Sequence, residues 1–318
     1  FMNNIYEGIF KEELKAFVDY KISNGFSYQN KEYYLKEFDR YTINKKIASK
    51  ELTKEIVLDF INNHTNIKNR TKNGYASIFR QFGIYLNIND IKAYIIPEKY
   101  FPSRYDFHPY IYSEKEIKDI FNALNNCYLK KVPKKQYQVK VILLLLFKTG
   151  MRIGEVLTIK RKNINYEKNS ILLENTKNGS DRLILLSNEL TQKLYDFETQ
   201  YNNNYEYYFE NNAKHIYSVH CFNHIFVRLL YYAKIMHTEN GPRVHDARHT
   251  FCVNSLKQAI DNNLDLNTFI PLLSAYIGHT DLDSTYKYLH LTYELYPDIR
   301  EKTKNIINLE KEIHYEEF

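Results

Sequence analysis

The stretch YIGHTDLDSTYKYLHL, Tyr276–Leu291, carries the decision about this chain. Gly278 precedes His279, and Tyr288 follows that histidine by nine residues. Taken alone, the two tyrosines of YKY are core or surface aromatics, as expected in a chain that contains 30 tyrosines. Three segments upstream change that reading, because each supplies a cationic or proton-carrying group in a local context able to present it.

The first is VHDARHTF, Val244–Phe251. His245 and Arg248 are three residues apart, a spacing that puts both on one helical face and offers an imidazole and a guanidinium to the same anion. His249 lies four residues after His245 and raises a metal alternative. The segment lacks the glutamate of HExxH and any nearby thiol pair, so no metal is assigned. Further upstream, SILLEN from Ser170 and DRLILLS from Asp181 have strand character, joined by TKNGS. Asn178 and Gly179 in that joint are a hairpin signal, since the favoured tight turn needs positive φ at both centres. Lys177 stands beside the turn. A tip lysine is ordinarily just solvated, but it can also reach a nucleic-acid groove or protonate a leaving oxygen. Furthest upstream is TGMRIGE, Thr149–Glu155, where a glycine before Arg152 predicts a helix end that turns the guanidinium outward, with Glu155 one turn on as its orienting partner.

Around these segments the chain reads as two domains. With 318 residues, 44% of them apolar, it is long enough for two cores. Residues 1–96 read as helices with apolar positions at three- and four-residue intervals, as in LKAFVDYKI from Leu14, YYLKEFDRY from Tyr33 and YASIFRQFGIYL from Tyr75. Pro97, Pro102 and Pro109 break any continuous helix, which predicts a linker over 97–112. Ser113 with Glu116 has capping-box spacing, so a second domain, 113–318, is expected to open there with a helix. The tail from about Asp298 to Leu309 is again helical by spacing. The fold class expected is mainly α with a small β-sheet.

Charge and cysteines bound the function loosely. The formal net charge is +6, and residues 1–100 hold 16 Lys or Arg against 12 Asp or Glu, so most of the excess lies in the first domain. An anionic partner fits this balance, as do many basic enzymes. Cys127, Cys221 and Cys252 are odd in number and outside metal-ligand spacing, which suits a reducing cytoplasm. The longest apolar run, VILLLLF at Val141–Phe147, is too short to span a bilayer, so no membrane association is expected. Phe1 precedes Met2, which is read as the natural start.

Arginine, lysine, histidine, arginine, histidine and tyrosine in this order, in these contexts, resemble the tyrosine recombinase (lambda-integrase-like) family over roughly Tyr112–Thr292. The resemblance implies an all-helical core-DNA-binding domain followed by an α+β catalytic domain of the DNA breaking-rejoining type. It implies that Arg152 and Arg248 clamp the scissile phosphate, that Lys177 is the general acid toward the departing 5′ oxygen, and that His245 and His279 assist proton transfer. Tyr288 would be the nucleophile, with Tyr286, two residues earlier, as the alternative if the helix register differs. Glu155 and Asp246 would stand behind these groups. NKEYYLKEFDRY and RTKNGYASIFRQFGIYL are similar to two helices of the family's core-binding domain, and Lys31, Lys68, Arg70, Lys72 and Arg80 are the candidate phosphate contacts, each equally readable as a solvated charge. With only about a dozen residues before the first helix, a simple two-domain recombinase without an arm-binding module is expected.

The chemistry needs neither metal nor other cofactor. A phosphodiester under attack gathers negative charge on its non-bridging oxygens, which two always-ionised arginines stabilise, and a phosphotyrosine conserves the bond energy for rejoining. The resemblance further implies a double-stranded DNA recombination site as partner, a tetramer in the synaptic complex with the tail docked on a neighbour, an accessory directionality protein in some systems, and a bacterial cytoplasm with nucleoid association. Two other outcomes stay open at this point: a topoisomerase of type IB or hairpin-forming resolvase using the same chemistry, and a DNA-binding regulator that keeps the fold without cleavage.

Overall fold

The computed structural model describes residues 6–26, 28–102, 109–174, 181–201, 205–210, 217–238, 241–296 and 298–299. Lys177, the hairpin joint Asn178–Gly179 and nearly all of the C-terminal tail lie outside the described residues. The chain divides into two compact units, Phe1–Asp106 and Phe107–Phe318.

Four helices build the first unit: α1 (Lys11–Ser23), α2 (Gln29–Asn44), α3 (Lys54–Asn63) and α4 (Asn69–Ile88). Their apolar faces meet in a core dominated by phenylalanine, with Phe10, Phe17, Phe38, Phe79 and Phe82 fully buried. Phe38 packs edge-on against Phe60 and Phe79, an arrangement that suits the ring quadrupoles. Thr53 caps α3 by accepting the Ile56 N–H. The segment after α4 folds back on its own unit: Leu52 and Tyr94 exchange backbone bonds with the 92–94 stretch and Leu52, and Asn73 and Asn69 hold the carbonyls of Phe101 and Pro102. So the first part of the proline-punctuated stretch is packed chain. At its other end Tyr112 belongs to the second unit, donating its N–H to Thr250 Oγ1 at 2.9 Å and its hydroxyl to the Arg243 carbonyl.

The second unit opens with α5 (Glu114–Asn126), begun by the Ser113–Glu116 capping box. It continues through α6 (Pro133–Thr149) and the short α7 (Ile153–Leu157). A three-stranded antiparallel sheet follows, of β1 (Ile164–Asn165), β2 (Ser170–Leu173) and β3 (Arg182–Leu185). Ser170 faces Leu185 and Leu173 faces Arg182, so Ile171, Leu173 and Ile184 point inward while Leu172, Leu183 and Leu185 stay exposed. Five helices complete the unit: α8 (Asn188–Tyr201), α9 (Val219–Tyr232), α10 (Asp246–Asp261), α11 (Leu266–Ile277) and α12 (Asp283–Leu295). The fold is mainly helical with a small sheet, as the sequence predicts.

The core of the second unit has two clusters, one centred on α6 and one joining α10, α11 and α12. Helix α10 belongs to both, and that central position sets the site. Among the described residues no helix is long and apolar enough to cross a membrane, and all three cysteines are free.

Candidate active site

Two helix ends frame the site. Helices α6 and α11 both terminate at a glycine in the left-handed conformation, Gly150 with φ 63° and Gly278 with φ 69°. Such ends leave carbonyl oxygens without helical partners, and here two arginines take them. Arg248, in the first turn of α10, donates to the Gly150 carbonyl at 3.0 Å and to the Ile277 carbonyl at 2.6 Å. Arg152, at the start of α7, donates to the Gly278 carbonyl at 3.1 Å. Arg248 is only 2% exposed, and the Arg152 side chain 24%. The two guanidinium groups stand close enough that Arg152 is, after burial, a principal influence disfavouring charge on Arg248. Each guanidinium has five N–H donors, so the carbonyls leave several for an anion.

Glu155 holds the arginine pair from behind. Its carboxylate accepts the Arg152 N–H at 2.8 Å and the Arg152 guanidinium at 2.9 Å. It also takes a forked pair of bonds from Arg182 at 3.0 and 2.6 Å. Burial works against its ionisation, but the bonds from Arg182 and Arg152 outweigh it and hold the carboxyl below the usual range. Arg182, on β3, also abuts Gly278: a Cβ there would come within 2.7 Å of its Nη1. Sequence reasoning passed over Arg182 because its partner is 27 positions away.

Tyr288 sits on α12, 6% exposed, with its phenol in this cationic setting. Its hydroxyl lies 2.8 Å from His249 Nδ1. The His279 ring stacks on the Tyr288 ring at 6.0 Å and 14°, while its Nδ1 bonds Thr285 Oγ1 at 2.9 Å. Burial first, and then the Cys252 sulfur, raise the Tyr288 pKa above the usual phenol range, and Arg248 opposes the rise. Tyr286, by contrast, is only partly buried, against the α10–α12 cluster.

The histidines are held neutral. Desolvation first, then Arg248 and Arg152, push His279 down to about 4. His245 is lowered by burial and by Arg248, with Asp246 acting in the other direction. His249 is pushed down to about 3 by burial, then by His245 and Arg243. His245 occupies the position just before α10, with Arg248 N–H bonded to its carbonyl, and meets His249 edge-on at 4.9 Å. Asp246, fully buried, accepts the Arg243 N–H at 2.7 Å and its guanidinium at 3.2 Å, which fixes the turn that carries His245. Among the described residues no cluster of three metal-ligating side chains exists.

Of the expected site residues, Arg152, His245, Arg248, His279 and Tyr288 therefore come together, with Glu155 and Asp246 behind them. Lys177 lies outside the described residues. The five cations expected to touch DNA fall in the first unit with varied surroundings. Lys31 lies over the Tyr28 ring, Lys68 is exposed just before α4 and Arg70 follows it on that helix. Lys72 bonds Asn62. Arg80 spends its guanidinium on the Ile96 and Pro97 carbonyls, both at 2.7 Å, so it pins its own unit's chain.

Known proteins resemble this chain in sequence and fold. Residues 111–294 match the phage integrase family. The putative integrase/recombinase y4rE of Sinorhizobium fredii is 23% identical over 286 residues, covering 87% of this chain and 90% of that protein. Tyrosine recombinase XerA of Pyrococcus horikoshii is 25% identical over 194 residues, 61% of either chain. The crystal structure of XerH site-specific recombinase bound to palindromic difH substrate, a post-cleavage complex, superposes with a TM-score of 0.61 at 17% identity, covering 85% of this chain and 78% of that one, and so shares the fold. Since the family match spans more than half of the 318 residues and falls on the unit that gathers two arginines and a buried tyrosine, the chain belongs to the phage integrase family, the tyrosine recombinases.

Proposed function

We propose that Tyr288 is the nucleophile of this site-specific DNA recombinase, attacking a phosphorus held by Arg152 and Arg248 to give a 3′-phosphotyrosyl intermediate. The observation that carries the reading is the convergence of Arg152, Arg248, His279 and Tyr288 from three separate segments, with the phenol buried among the cations.

The reaction follows from the charges. As the phenol oxygen bonds to phosphorus, negative charge grows on the two non-bridging oxygens, and fixed guanidinium donors bind that state better than the resting diester. The carbonyls of Gly150, Ile277 and Gly278 hold the donors in place before DNA arrives, so little reorganisation remains for the reaction itself. His245 and His279, neutral by burial and cationic neighbours, serve as hydrogen-bond donors to the phosphate without adding to the repulsion. Lys177 is the proposed proton donor to the departing 5′ oxygen. Attack by the 5′ hydroxyl of a second strand then reverses the bond without ATP. Integration, excision and resolution are this one exchange at different pairs of sites. The double-stranded site is proposed to be held also by the first unit, through Lys31, Lys68, Arg70 and Lys72, and recombination to proceed in a tetramer.

Trapping on a nicked duplex tests the assignment. Tyr288→Phe is expected to bind the duplex as the parent does and form no covalent adduct, while Tyr286→Phe forms it. An adduct that survives Tyr288→Phe rejects the nucleophile. Sedimentation of the protein on a paired site is expected to give four protomers, and a monomer on such a site overturns the assembly.

A further inference from the structure

Clamping the phosphate does not require His249, yet its Nδ1 lies 2.8 Å from the Tyr288 hydroxyl, the reacting atom, beside Arg248 and Cys252. The two rings meet at 5.5 Å and 44°, edge toward hydroxyl. His279 takes a different stance: it lies parallel to the phenol ring and commits its Nδ1 to Thr285. On its far side, His249 Nε2 is 4.0 Å from Asp246 Oδ1, a carboxylate that is fully buried. The His249 side chain itself is 12% exposed. Donor, acceptor and counter-charge thus stand in a row: phenol, imidazole, carboxylate.

We propose that His249 accepts the Tyr288 proton during attack and returns it when the phosphotyrosine is resolved. The neutral ring carries its proton on Nε2, toward Asp246, and offers the Nδ1 lone pair to the phenol. As the Tyr288 oxygen bonds to phosphorus, its proton passes to Nδ1 and the bond from phosphorus to the 5′ oxygen breaks. That oxygen takes its proton from a separate donor, Lys177 in the reading above. In rejoining, the incoming 5′ hydroxyl attacks phosphorus and gives its proton to the neutral Lys177 amine left by cleavage, while the departing phenolate takes its proton back from Nδ1. The imidazolium formed in between faces Asp246 and the extra negative charge on the reacting phosphate.

The surroundings make this base conditional on DNA. His249 is faced by Asp246 and Arg248 on α10, by His245 and Arg243 just before it, by His279 from the α11–α12 turn and by Tyr288 from α12, whose phenol in turn meets Cys252. Burial and the cations among these keep the ring from binding a proton while the site is empty. A phosphate seated on Arg152 and Arg248 offsets the Arg248 share of that repulsion and adds negative charge nearby, so the acceptor strengthens when the electrophile arrives. The phenol therefore keeps its proton until there is phosphorus to attack.

This inference deepens the assignment of Tyr288 as nucleophile and rests on it; Tyr288→Phe decides that assignment, whereas His249 variants decide this one. The measurement is single-turnover cleavage of a nicked duplex by the full chain, with DNA binding followed by mobility shift, for His249→Gln, His249→Asn and His249→Phe. Variants that bind DNA like the parent are expected to cleave about a hundredfold more slowly. Replacing the bridging 5′ oxygen by sulfur, a leaving group that needs no proton, is expected to leave this defect unchanged while rescuing Lys177→Ala. A more acidic phenol, 3-fluorotyrosine at position 288, is expected to recover part of it. Cleavage within about threefold of the parent, or full rescue by the sulfur substrate, overturns the proposal. If none of the variants binds DNA, the unaltered chain on the sulfur substrate decides: with no proton needed by the leaving group, cleavage is expected to be slower in D2O than in H2O because the phenol proton moves to Nδ1 as the bond forms, and equal rates in the two solvents overturn it.

Discussion

Arg248 and Arg152 do the same chemistry under different structural obligations. Arg248 is buried and joins two carbonyls from different helix ends, whereas Arg152 is a quarter exposed and gives one bond to a carbonyl, with Glu155 taking another. A lysine at either position keeps the charge but loses the planar fork. Arg248→Lys is expected to leave at least one buried carbonyl unpaired, at a cost of about 1–3 kcal/mol in folding stability. Arg152→Lys is expected to cost under about 1 kcal/mol, because water can reach the site. Both are expected to slow cleavage by roughly a hundredfold or more, as for loss of a preorganised donor. Urea midpoints and single-turnover trapping measured on the same two proteins separate the effects. Equal loss of stability in both would contradict the asymmetry of burial.

At the level of elements, the helix ends do the positioning, and glycine is required where they approach neighbours. A Cβ on Gly150 would lie 2.4 Å from Phe251 Cδ1 at a φ of +63°. Gly150→Ala is therefore expected to cost about 2 kcal/mol or more and to displace the carbonyl that holds Arg248, slowing cleavage as well. Gly154→Ala is the control: inside α7, with nothing within 4 Å of its Cβ, it is expected to be neutral or stabilising by up to about 1 kcal/mol. A Gly150→Ala chain with unchanged melting and cleavage would show that the helix end has no positioning role. Features of this local kind are also what the sequence makes legible. The Ser113 capping box, the glycine end before Arg152 and the strands around Ile171 and Ile184 all follow from neighbours within a few residues. The two-residue strand β1 is too short to carry a pattern. His245 stands just before α10 in helical conformation with the Arg248 N–H on its carbonyl, and Arg243 with Asp246 fixes that turn. Arg182 with Glu155, and His249 with Tyr288, pair across 27 and 39 positions, distances at which spacing carries no signal. His249 was visible only as a spare ligand beside His245, because its partner is brought to it by the packing of α10 on α12.

Across the whole molecule, burying neutral histidines beside arginines ties folding to pH. His249 and His279, at about 3 and about 4, and His245, also lowered, all belong to the unit Phe107–Phe318. In the unfolded chain these rings titrate near 6.5, so between that pH and the folded values the unfolded state binds more protons. Stability then rises with pH through this window, is complete above about 6.5, and is lost progressively as pH falls toward 4. Each strongly lowered ring contributes up to about 2 kcal/mol of loss by pH 5, at roughly 1.4 kcal/mol per pH unit. Glu155 works in another range: held below the usual carboxylate value, it loses its contribution only below about pH 4.3, where the unfolded carboxyl starts to protonate. The interval from 6.5 to 4.5 therefore belongs to the histidines. Urea unfolding across that interval is expected to show a falling midpoint and proton uptake on unfolding. His249→Phe is expected to flatten the slope by the share of one ring. A phosphate-bearing duplex bound in the site, by favouring the protonated rings, is expected to flatten it further. A midpoint that stays level from pH 7 to 5 would mean that the rings take up protons as readily in the folded protein as in the unfolded chain, and the weak proton affinity of His249 before DNA binds would be refuted.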